Sequence, residues 1–466
     1  MSNPSVAQCP KNVAIPVIFI PGIMGSRLRY PLKNTGGKEK IVWQPGIESW
    51  EQIWHTLGLS TSGAEGKREL LVGGSKQYFN PGYLEVAHHP DGALSDHGFN
   101  GLLPSYLPFM NWLNGQQNQI IRIDSCNVMI RYHIWAYPYN WTDSNLEAAK
   151  GLEEVVNKAV AEAKDREEPL GRQVLKPILL THSMGGLVAR GYTQVLGKAD
   201  TVHGVIHGAM PTHGSPELYK RMRGGFEGVS SFALGANQEQ VTATAGNCPG
   251  PLELAPNRVH QGADGRRDWL RISDGNAVVK TLPVSDPYTE IYENEDDWWR
   301  LIDKTLLNPG GEPMAAFRDF RKQLAIAKKF HTDLERDPFH PNTRMFYGTG
   351  RQTRDHVEWQ TRERVGGLPT NATASMSNGR VVLRGFNGPS DTRTSPTYGR
   401  TLQMTGATAP GDGTVHAGSG RYVNEMAVPV DDGFEHQGAF DSREARNLTL
   451  EWLNQMVGEI VSAQLT

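Results

Sequence analysis

A serine stands between an apolar run and a helix-like segment in the stretch ILLTHSMGGLVARG, residues 178–191. Two positions after Ser183 comes Gly185, and two positions before it comes Thr181, where the G-x-S-x-G pattern of nucleophilic serines has glycine. In that pattern the serine sits on a strained turn from a strand into a helix, so its neighbours must be small. The stretch predicts that Ser183 is a nucleophile. The alternative is an ordinary strand-to-helix turn with a solvated serine.

A nucleophilic serine needs a base that removes its proton and a carboxylate that orients the base. If the order along the chain is serine, acid, histidine, the preferred acid is Asp412 in GDGTV, which stands between two glycines after a long excursion of the chain. A solvent-facing turn is the alternative for Asp412, because Asp-Gly is also a favoured turn pair. Asp431 and Asp432 are weaker candidates, since they lie too close to the histidine that they would orient.

The predicted base is His436, which lies in DDGFEHQGAF shortly before the last predicted helix. His416 follows Asp412 too closely, because a base must reach both of its partners from a separate loop. His182, directly before the serine, is expected to line the turn and not to act as the base. The sequence therefore predicts a triad of Ser183, Asp412 and His436.

Two backbone N–H groups are expected to stabilise the negative charge of a tetrahedral intermediate. One belongs to Met184, the residue after the nucleophile. The other belongs to Ile23, in the glycine-rich turn PGIMGS that follows an apolar run. Chemistry of this type needs no metal and no cofactor, and neither is predicted.

These residues need elements that bring several strand ends together. Apolar runs that end in glycine-rich or polar turns predict buried strands at 13–20, 178–180, 201–207 and 345–348. A further strand is predicted at 128–135, and helices are predicted at 106–114, 146–164 and 442–461. Alternation of strands with helices predicts an α/β class, here an α/β-hydrolase fold with a mostly parallel sheet, flanking helices and a large inserted cap.

The sequence predicts one decorated domain. Its core comprises residues 13–215 and 342–466, with an elaboration at 29–103 that is either a lid or a large loop region. Residues 216–341 are glycine-rich at their start and rich in tryptophan later, which favours an inserted cap or lid over the site. Within this cap, Trp298 and Trp299 either offer apolar surface to acyl chains or pack inside the cap.

Composition excludes several classes of protein. A chain of 466 residues with a net charge of −3 lacks the clustered positive charge that nucleic-acid binding requires. Neither a secretory signal peptide nor a run of about 18 apolar residues is visible, so we expect a protein that is cytoplasmic as synthesised. The cysteines Cys9, Cys126 and Cys248 are widely spaced, which favours buried thiols over disulfides or a zinc site.

Several stretches between residues 13 and 460 resemble, in the same order, the lecithin:cholesterol acyltransferase-like lipases: PVIFIPGIMGSRL, HGFNGLLPSYLPFM, AYPYNW, THSMGGLVAR, CPGPLELAPN, DPYTEIY, MFYGTG and GDGTV. The stretch VIHGAMPTHGSPELYKRMRGGFEG is similar to lipase effectors delivered by bacterial type VI secretion. The resemblance implies a lipid or phospholipid substrate, peripheral membrane contact and export by type VI secretion. It also implies a secretion spike and an immunity protein as partners.

Two departures limit the resemblance. Thr181 replaces the first glycine of the elbow, and the tryptophan that eukaryotic acyltransferases carry in their first turn region has no clear counterpart. Transfer of acyl groups to sterol is therefore not implied, and hydrolysis is. The leading hypothesis is a serine lipase or phospholipase, and the alternative enzyme is a cytosolic esterase or deacylase acting on soluble or glycolipid esters. A catalytically silent hydrolase fold used as a binding module is disfavoured by the ordered Ser183, Asp412 and His436.

Overall fold

The computed structural model describes ten segments of the chain: residues 9–45, 62–87, 97–226, 235–336, 338–361, 371–377, 380–386, 400–404, 409–421 and 426–463. Their strands are β1 Val13–Ile20, β2 Leu28–Arg29, β3 Ile41–Trp43, β4 Glu85–Val86, β5 Asn118–Ile123, β6 Cys126–Ala136, β7 Gln173–Val174, β8 Ile178–His182, β9 Gly204–Gly208, β10 Leu270–Asp274, β11 Ala277–Leu282, β12 Thr343–Gly348, β13 Arg351–Thr353, β14 Val357–Thr361, β15 Asn371–Ser377, β16 Arg380–Phe386, β17 Arg400–Met404, β18 Ala409–Gly411 and β19 Ala427–Val430. Their α-helices are α1 Ala64–Leu71, α2 Leu107–Gly115, α3 Asn145–Glu167, α4 Gly185–Arg190, α5 Pro216–Gly224, α6 Gln238–Thr244, α7 Pro249–Leu252, α8 Pro313–Arg336, α9 Ala417–Gly420 and α10 Arg443–Ala463.

The main sheet has the strand order β19-β12-β9-β8-β1-β6-β5, with β7 beside β1. Its pairings are parallel except for the antiparallel pair β5 and β6. Every residue of β1 is buried, which explains why this strand is an uninterrupted apolar run in the sequence. Helix α3 covers one face and helix α10 covers the other, so alternate residues of each central strand enter two different cores.

A second sheet has the order β11-β10-β14-β17-β16-β15, and only β10 and β14 pair in parallel within it. Of the strands of this sheet, β16 is the one with a strand-like apolar run in the sequence, RVVLRGF. The second sheet draws strands from both sides of the predicted boundary between residues 341 and 342. Division of the chain into the core 13–215 and 342–466 and the cap 216–341 stays a prediction.

The tryptophans of the predicted cap are interior residues. Trp298 is 2% exposed and Trp299 is 7% exposed, and both belong to an apolar core that also contains helix α8 and the second sheet. The Trp298 ring stands edge-on to Trp359 of β14, with 5.9 Å between centroids. Of the two alternatives for this pair, the structure therefore has interior packing, shared with Trp359 from outside the segment, and not a surface offered to acyl chains.

The segment around Glu253 attaches residues 216–341 to the core. The buried Glu253 carboxyl group accepts hydrogen bonds from the Ser144 hydroxyl at 2.8 Å and from the Asn145 backbone N–H at 2.8 Å. Ser144 also caps α3, since its side chain accepts the N–H of Leu146. Acceptor oxygens are favourable at this position because the first N–H groups of a helix lack partners within the helix.

One prediction about cysteine is wrong. Cys9 and Cys126 form a disulfide with a Cα–Cα distance of 5.6 Å, whereas Cys248 is a buried free thiol as predicted. The reason is the register of two parallel strands, in which Val13 of β1 lies opposite Ile130 of β6. Cys9 precedes the one residue by the same number of positions as Cys126 precedes the other, so the two cysteines approach each other although they are 117 residues apart in sequence.

The elaboration at 29–103 is described in part. Strands β2, β3 and β4 form a small antiparallel sheet, and residues 46–61 and 88–96 of this region lie outside the described residues. Among the described residues, the structure has no helix with the length and apolar character needed to cross a membrane.

Candidate active site

Ser183 directly follows strand β8 in the main sheet and has φ of +51°, a left-handed conformation that is strained for a residue with a side chain. Its backbone N–H donates to the carbonyl of Gly208 at 2.9 Å on the adjacent strand, which holds the turn. A Cβ atom on Gly185 would lie 2.3 Å from the carbonyl oxygen of Ile20, so this position accepts only glycine. The sharp turn predicted from the sequence is therefore present.

Thr181 occupies the place where the elbow pattern has its first glycine. Its side chain is fully buried, and its hydroxyl makes a hydrogen bond with Nδ1 of His207, on strand β9, at 2.9 Å. Burial lowers the pKa of His207 to about 3, so its ring is neutral. The branched side chain is therefore accommodated by the neighbouring strand and does not obstruct the turn.

The three residues predicted as a triad lie in one hydrogen-bonded line. Nε2 of His436 is 2.7 Å from Oγ of Ser183, and Nδ1 of His436 is 2.8 Å from Oδ2 of Asp412. The other carboxylate oxygen of Asp412 accepts the N–H groups of Thr414 at 3.0 Å and Val415 at 2.7 Å. All three triad side chains are buried.

Burial alone would raise the pKa of Asp412, but the interaction with His436 and the backbone hydrogen bonds hold this pKa below its usual range. The carboxylate is therefore ionised and accepts the Nδ1–H of His436. This arrangement leaves Nε2 of His436 as an acceptor for the proton of Ser183.

The weaker candidates make other contacts. His416 is buried and its Nδ1 accepts the N–H of Gly418 at 3.2 Å. Burial lowers the pKa of His416 to about 3. Asp431 accepts the hydroxyl of Thr349 at 3.2 Å, and Asp432 accepts the hydroxyl of Ser442 at 2.5 Å.

The turn that contains Ile23 lies against the elbow. A Cβ atom on Gly22 would be only 3.0 Å from the Cβ of Ser183, so the two backbones approach closely because residue 22 is glycine. Ile23 lines the same cavity as Ser183. No described residue accepts a hydrogen bond from the backbone N–H of Ile23 or of Met184. Their placement is compatible with the predicted oxyanion site, and that assignment stays a prediction.

A chain of buried hydrogen bonds behind the triad was not predicted from the sequence. The N–H of Gly22 donates to the hydroxyl of Tyr106 at 3.0 Å, and Tyr106 donates to Nδ1 of His182 at 2.6 Å. Nε2–H of His182 then donates to the backbone carbonyl of His436 at 2.8 Å. Burial and the neighbouring His436 lower the pKa of His182 to about 3, so the ring is neutral. The sequence signal for Tyr106 was its position inside the stretch HGFNGLLPSYLPFM.

Ser183 and His436 open into a cavity of about 110 Å³. The cavity is lined largely by apolar side chains: Ile23, Met24, Trp141, Pro211, Leu218, Phe226, Val241, Ala245, Pro251, Leu254 and Val415. Polar groups also reach it, among them Ser215, Glu217, Arg221 and Thr414. An apolar cavity with a few convergent polar groups is typical of a small-molecule site. Among the described residues, no group of three or more His, Cys, Asp and Glu side chains is arranged to hold a metal ion.

Comparison with known proteins supports the fold. Neither a family model nor a curated protein matches the sequence. One chain of the crystal structure of the Tle4-Tli4 complex is similar over 96% of this chain and 99% of its own length, with 23% identity and a TM-score of 0.72. Phospholipase PlaB from Legionella pneumophila aligns over 84% of this chain and 92% of its own length at 11% identity, but its TM-score of 0.22 is too low to indicate a common fold.

The curled, mostly parallel sheet, the flanking helices and the overall likeness define the class: the chain has the α/β-hydrolase fold. The resemblance inferred from the sequence is confirmed at the level of this fold. At 23% identity, the similarity to the Tle4-Tli4 structure establishes a shared fold and not a shared activity. The chemistry of this chain depends on the residues of its own site.

Proposed function

We propose that the protein is a serine lipase or phospholipase that hydrolyses acyl ester bonds of lipids. The observation that carries this proposal is the line of hydrogen bonds from Asp412 through His436 to Ser183 at the wall of an apolar cavity. A catalytically silent module would not need this line. The apolar lining favours an acyl chain over a small polar ester, which disfavours the soluble-ester alternative.

The reaction follows from the roles of these groups. Oγ of Ser183 attacks the ester carbonyl carbon while Nε2 of His436 takes the hydroxyl proton, and the carbonyl oxygen becomes an oxyanion. The N–H groups of Met184 and Ile23 donate to this oxyanion. His436 then gives its proton to the leaving alcohol. Water, deprotonated by His436, then attacks the carbonyl carbon of the acyl-serine. The bond from this carbon to Oγ of Ser183 breaks, His436 returns the proton to Oγ, and the fatty acid is released.

Exchange of the nucleophile tests the proposal. We expect Ser183→Ala to reduce fatty-acid release on the order of a millionfold, the loss seen when a triad serine is removed in a model protease. Ser285→Ala, the same change at an exposed serine of the predicted cap whose hydroxyl contacts only Glu290 in the described structure, is the matched control and should leave the rate unchanged. The assay is release of fatty acid from phospholipid micelles by proteins with equal circular dichroism spectra. A Ser183→Ala rate within about tenfold of the wild type would refute the assignment.

We further propose export by type VI secretion, with a secretion spike and an immunity protein as partners and peripheral contact with a membrane. Support comes from the stretch VIHGAMPTHGSPELYKRMRGGFEG and from the fold shared with a chain of the Tle4-Tli4 complex. An immunity partner encoded beside this chain should bind it and suppress lipid hydrolysis when the two proteins are mixed. Undiminished hydrolysis at saturating partner would count against this part of the proposal.

A further inference from the structure

Arg223 is a buried cation near the end of α5, and it is 2% exposed. Its Nη2 donates to the backbone carbonyl of Trp298 at 2.9 Å. Nε and Nη1 of the same guanidinium are buried and have no hydrogen-bond partner among the described residues. Such a group is costly, because the charge has lost the water that solvated it and only one of its nitrogen atoms has gained a partner.

The charged side chains around Arg223 do not supply a counterion. Burial lowers the pKa of Arg223 and the positive charge of Arg300 lowers it further, whereas the carboxylate of Asp303 acts in the opposite direction. That carboxylate is held elsewhere: Oδ2 pairs with Nη2 of Arg300 at 2.9 Å, and Oδ1 accepts the N–H of Thr305 at 3.0 Å. Because an arginine stays protonated at neutral pH, the charge of Arg223 is left without a paired anion in the described part of the chain.

The nearest phenol does not supply one either. Burial raises the pKa of Tyr219 to about 12, so its hydroxyl is neutral at neutral pH. This hydroxyl donates to the backbone carbonyl of Trp299 at 2.8 Å and accepts Nε1–H of Trp359 at 3.1 Å. Tyr219 therefore takes part in hydrogen bonds of its own and does not neutralise Arg223.

The neighbours of Arg223 in the fold have unsatisfied groups of the same kind. Among the described residues, Nε of Arg300 and the indole N–H groups of Trp298 and Trp299 are buried without a hydrogen-bond partner. All of these groups, like Nε and Nη1 of Arg223, are donors. A ligand that complements them must be an acceptor, and the two guanidinium groups favour an anion over a neutral acceptor such as water.

We propose that a small monovalent anion of about the size of chloride binds between the guanidinium groups of Arg223 and Arg300. One negative charge is enough to neutralise Arg223, and its attraction to both guanidinium groups is strong in an interior of low dielectric constant. The site is enclosed, so an anion with two charges or with a larger volume would lose more solvation than the site returns. The side chain of Arg300 is 18% exposed and gives the anion a path from solvent.

The position of this anion connects two parts of the inserted segment. Helix α5 carries Leu218 and Arg221, which line the candidate active-site cavity, and it also carries Arg223. An anion held by Arg223 and Arg300 ties the end of α5 to residues 298–300 and so stabilises one wall of the cavity. Binding of this anion does not depend on whether the protein hydrolyses esters.

Urea unfolding at constant ionic strength tests the proposal, with sodium chloride replacing sodium methanesulfonate in steps. A ligand that binds only the folded state stabilises it in proportion to the logarithm of its concentration once that concentration exceeds Kd. We therefore expect the urea midpoint to rise linearly with the logarithm of chloride concentration, because methanesulfonate is too large for the site. An equal midpoint in the two salts would overturn the proposal and leave water as the acceptor.

Arg223→Met removes the cation and keeps an apolar side chain of similar length, so its urea midpoint should be the same in the two salts. In methanesulfonate alone this variant should be at least as stable as the wild type, because an unpaired buried charge is gone. Arg344→Met is the matched control: Arg344 is also buried, but its Nη2 donates to Glu459 at 3.0 Å, so the chloride dependence should persist. Chloride dependence in Arg223→Met, or its loss in both variants, contradicts the assignment to Arg223.

Crystals of the wild-type protein grown in sodium bromide give a measurement that needs no variant. Bromide has the charge of chloride and nearly its size, and it scatters X-rays anomalously. We expect an anomalous peak in contact with the guanidinium groups of Arg223 and Arg300. No peak at this place refutes the site, and a peak without stabilisation by chloride in solution would identify an adventitious ion only and refute it as well.

Discussion

At the scale of single residues, His182 has a defined protonation state because both of its ring nitrogens have partners. Nδ1 accepts from Tyr106, so Nε2 carries the proton that is donated to the carbonyl of His436. One side of this chain of hydrogen bonds holds the turn of Gly22, and the other side holds the backbone of the candidate base. We infer that Tyr106 and His182 position the candidate catalytic groups without taking part in proton transfer.

Removal of the Tyr106 hydroxyl tests this positioning role. Tyr106→Phe leaves the N–H of Gly22 and Nδ1 of His182 without this partner in a buried place, and each such loss costs about 1–3 kcal/mol. We expect kcat to fall about tenfold with KM little changed, because the defect lies in the alignment of the reacting groups and not in the cavity.

Tyr132→Phe is the matched control for this variant. Tyr132 is also buried and donates to Oδ1 of Asn454 at 2.8 Å, on a part of the main sheet away from the triad. The control should lose comparable stability and keep its kcat. If both variants lose kcat equally, the effect belongs to stability and the positioning role is wrong.

At the scale of elements, the turn between β8 and α4 requires glycine for steric reasons that the structure makes explicit. A methyl group at position 185 would meet the carbonyl oxygens of Ile20 at 2.3 Å and Pro21 at 2.5 Å, and these are backbone atoms that cannot move aside without displacing the end of β1. Gly185→Ala should therefore abolish soluble expression or lower the free energy of unfolding by more than about 3 kcal/mol, well above an average substitution.

Gly458→Ala is the contrasting change in helix α10. There a Cβ atom would make an ordinary contact at 3.7 Å with Ile121, and alanine has a higher helix propensity than glycine. We expect this variant to gain about 0.5–1 kcal/mol in urea unfolding. Similar stability of the two variants would show that the elbow relaxes around a methyl group, contrary to the packing argument.

Whether a strand could be predicted from the sequence depended on its environment in the fold. β1 was predicted over the residues it occupies, because a parallel strand buried on both faces is a continuous apolar run ended by Pro21 and Gly22. Strands β10, β11 and β14 were not predicted, since their short mixed runs gain stability from partners far away in sequence. The contact of Thr181 with His207 was also inaccessible, because it depends on which strands are adjacent.

At the scale of the whole molecule, the topology of the main sheet explains why the prediction about cysteines was wrong. The spacing of Cys9 and Cys126 gives no indication of a pair, and only the parallel register of β1 on β6 brings them together. The order of Ser183, Asp412 and His436 could be used in advance because a serine, an acid and a histidine follow in this order along the chain in α/β-hydrolases, the class that the sequence predicted. The distances between these three side chains could not be predicted, because they depend on how the whole chain folds.

The folded molecule contains many neutral histidines, and this should make its stability fall in mild acid. Burial lowers the pKa of five of them to values between about 2 and about 4: His182, His207, His213, His331 and His416. In the unfolded chain each of these rings binds a proton below about pH 6.5. The unfolded state therefore binds more protons than the folded state as pH falls from about 6.5 towards 4, and stability decreases over that window.

Glu253 acts in the opposite direction. Burial raises its pKa to about 8, so the folded state holds this proton more tightly than the unfolded state and the contribution of Glu253 increases in acid. Each fully effective group changes the free energy of unfolding by about 1.4 kcal/mol per pH unit, so one carboxyl is outweighed by several histidines. The net expectation is a loss of stability on acidification.

Urea unfolding between about pH 4 and 7, followed by tryptophan fluorescence, measures this slope. His207→Gln removes one of the titrating groups, and its amide can still form a hydrogen bond with the hydroxyl of Thr181. The variant should be less stable than the wild type near neutral pH, but its slope below about pH 6 should be smaller by about 1.4 kcal/mol per pH unit. Equal slopes for the two proteins would mean that His207 binds a proton in the folded state, and the account of neutral buried histidines would then be wrong for this position.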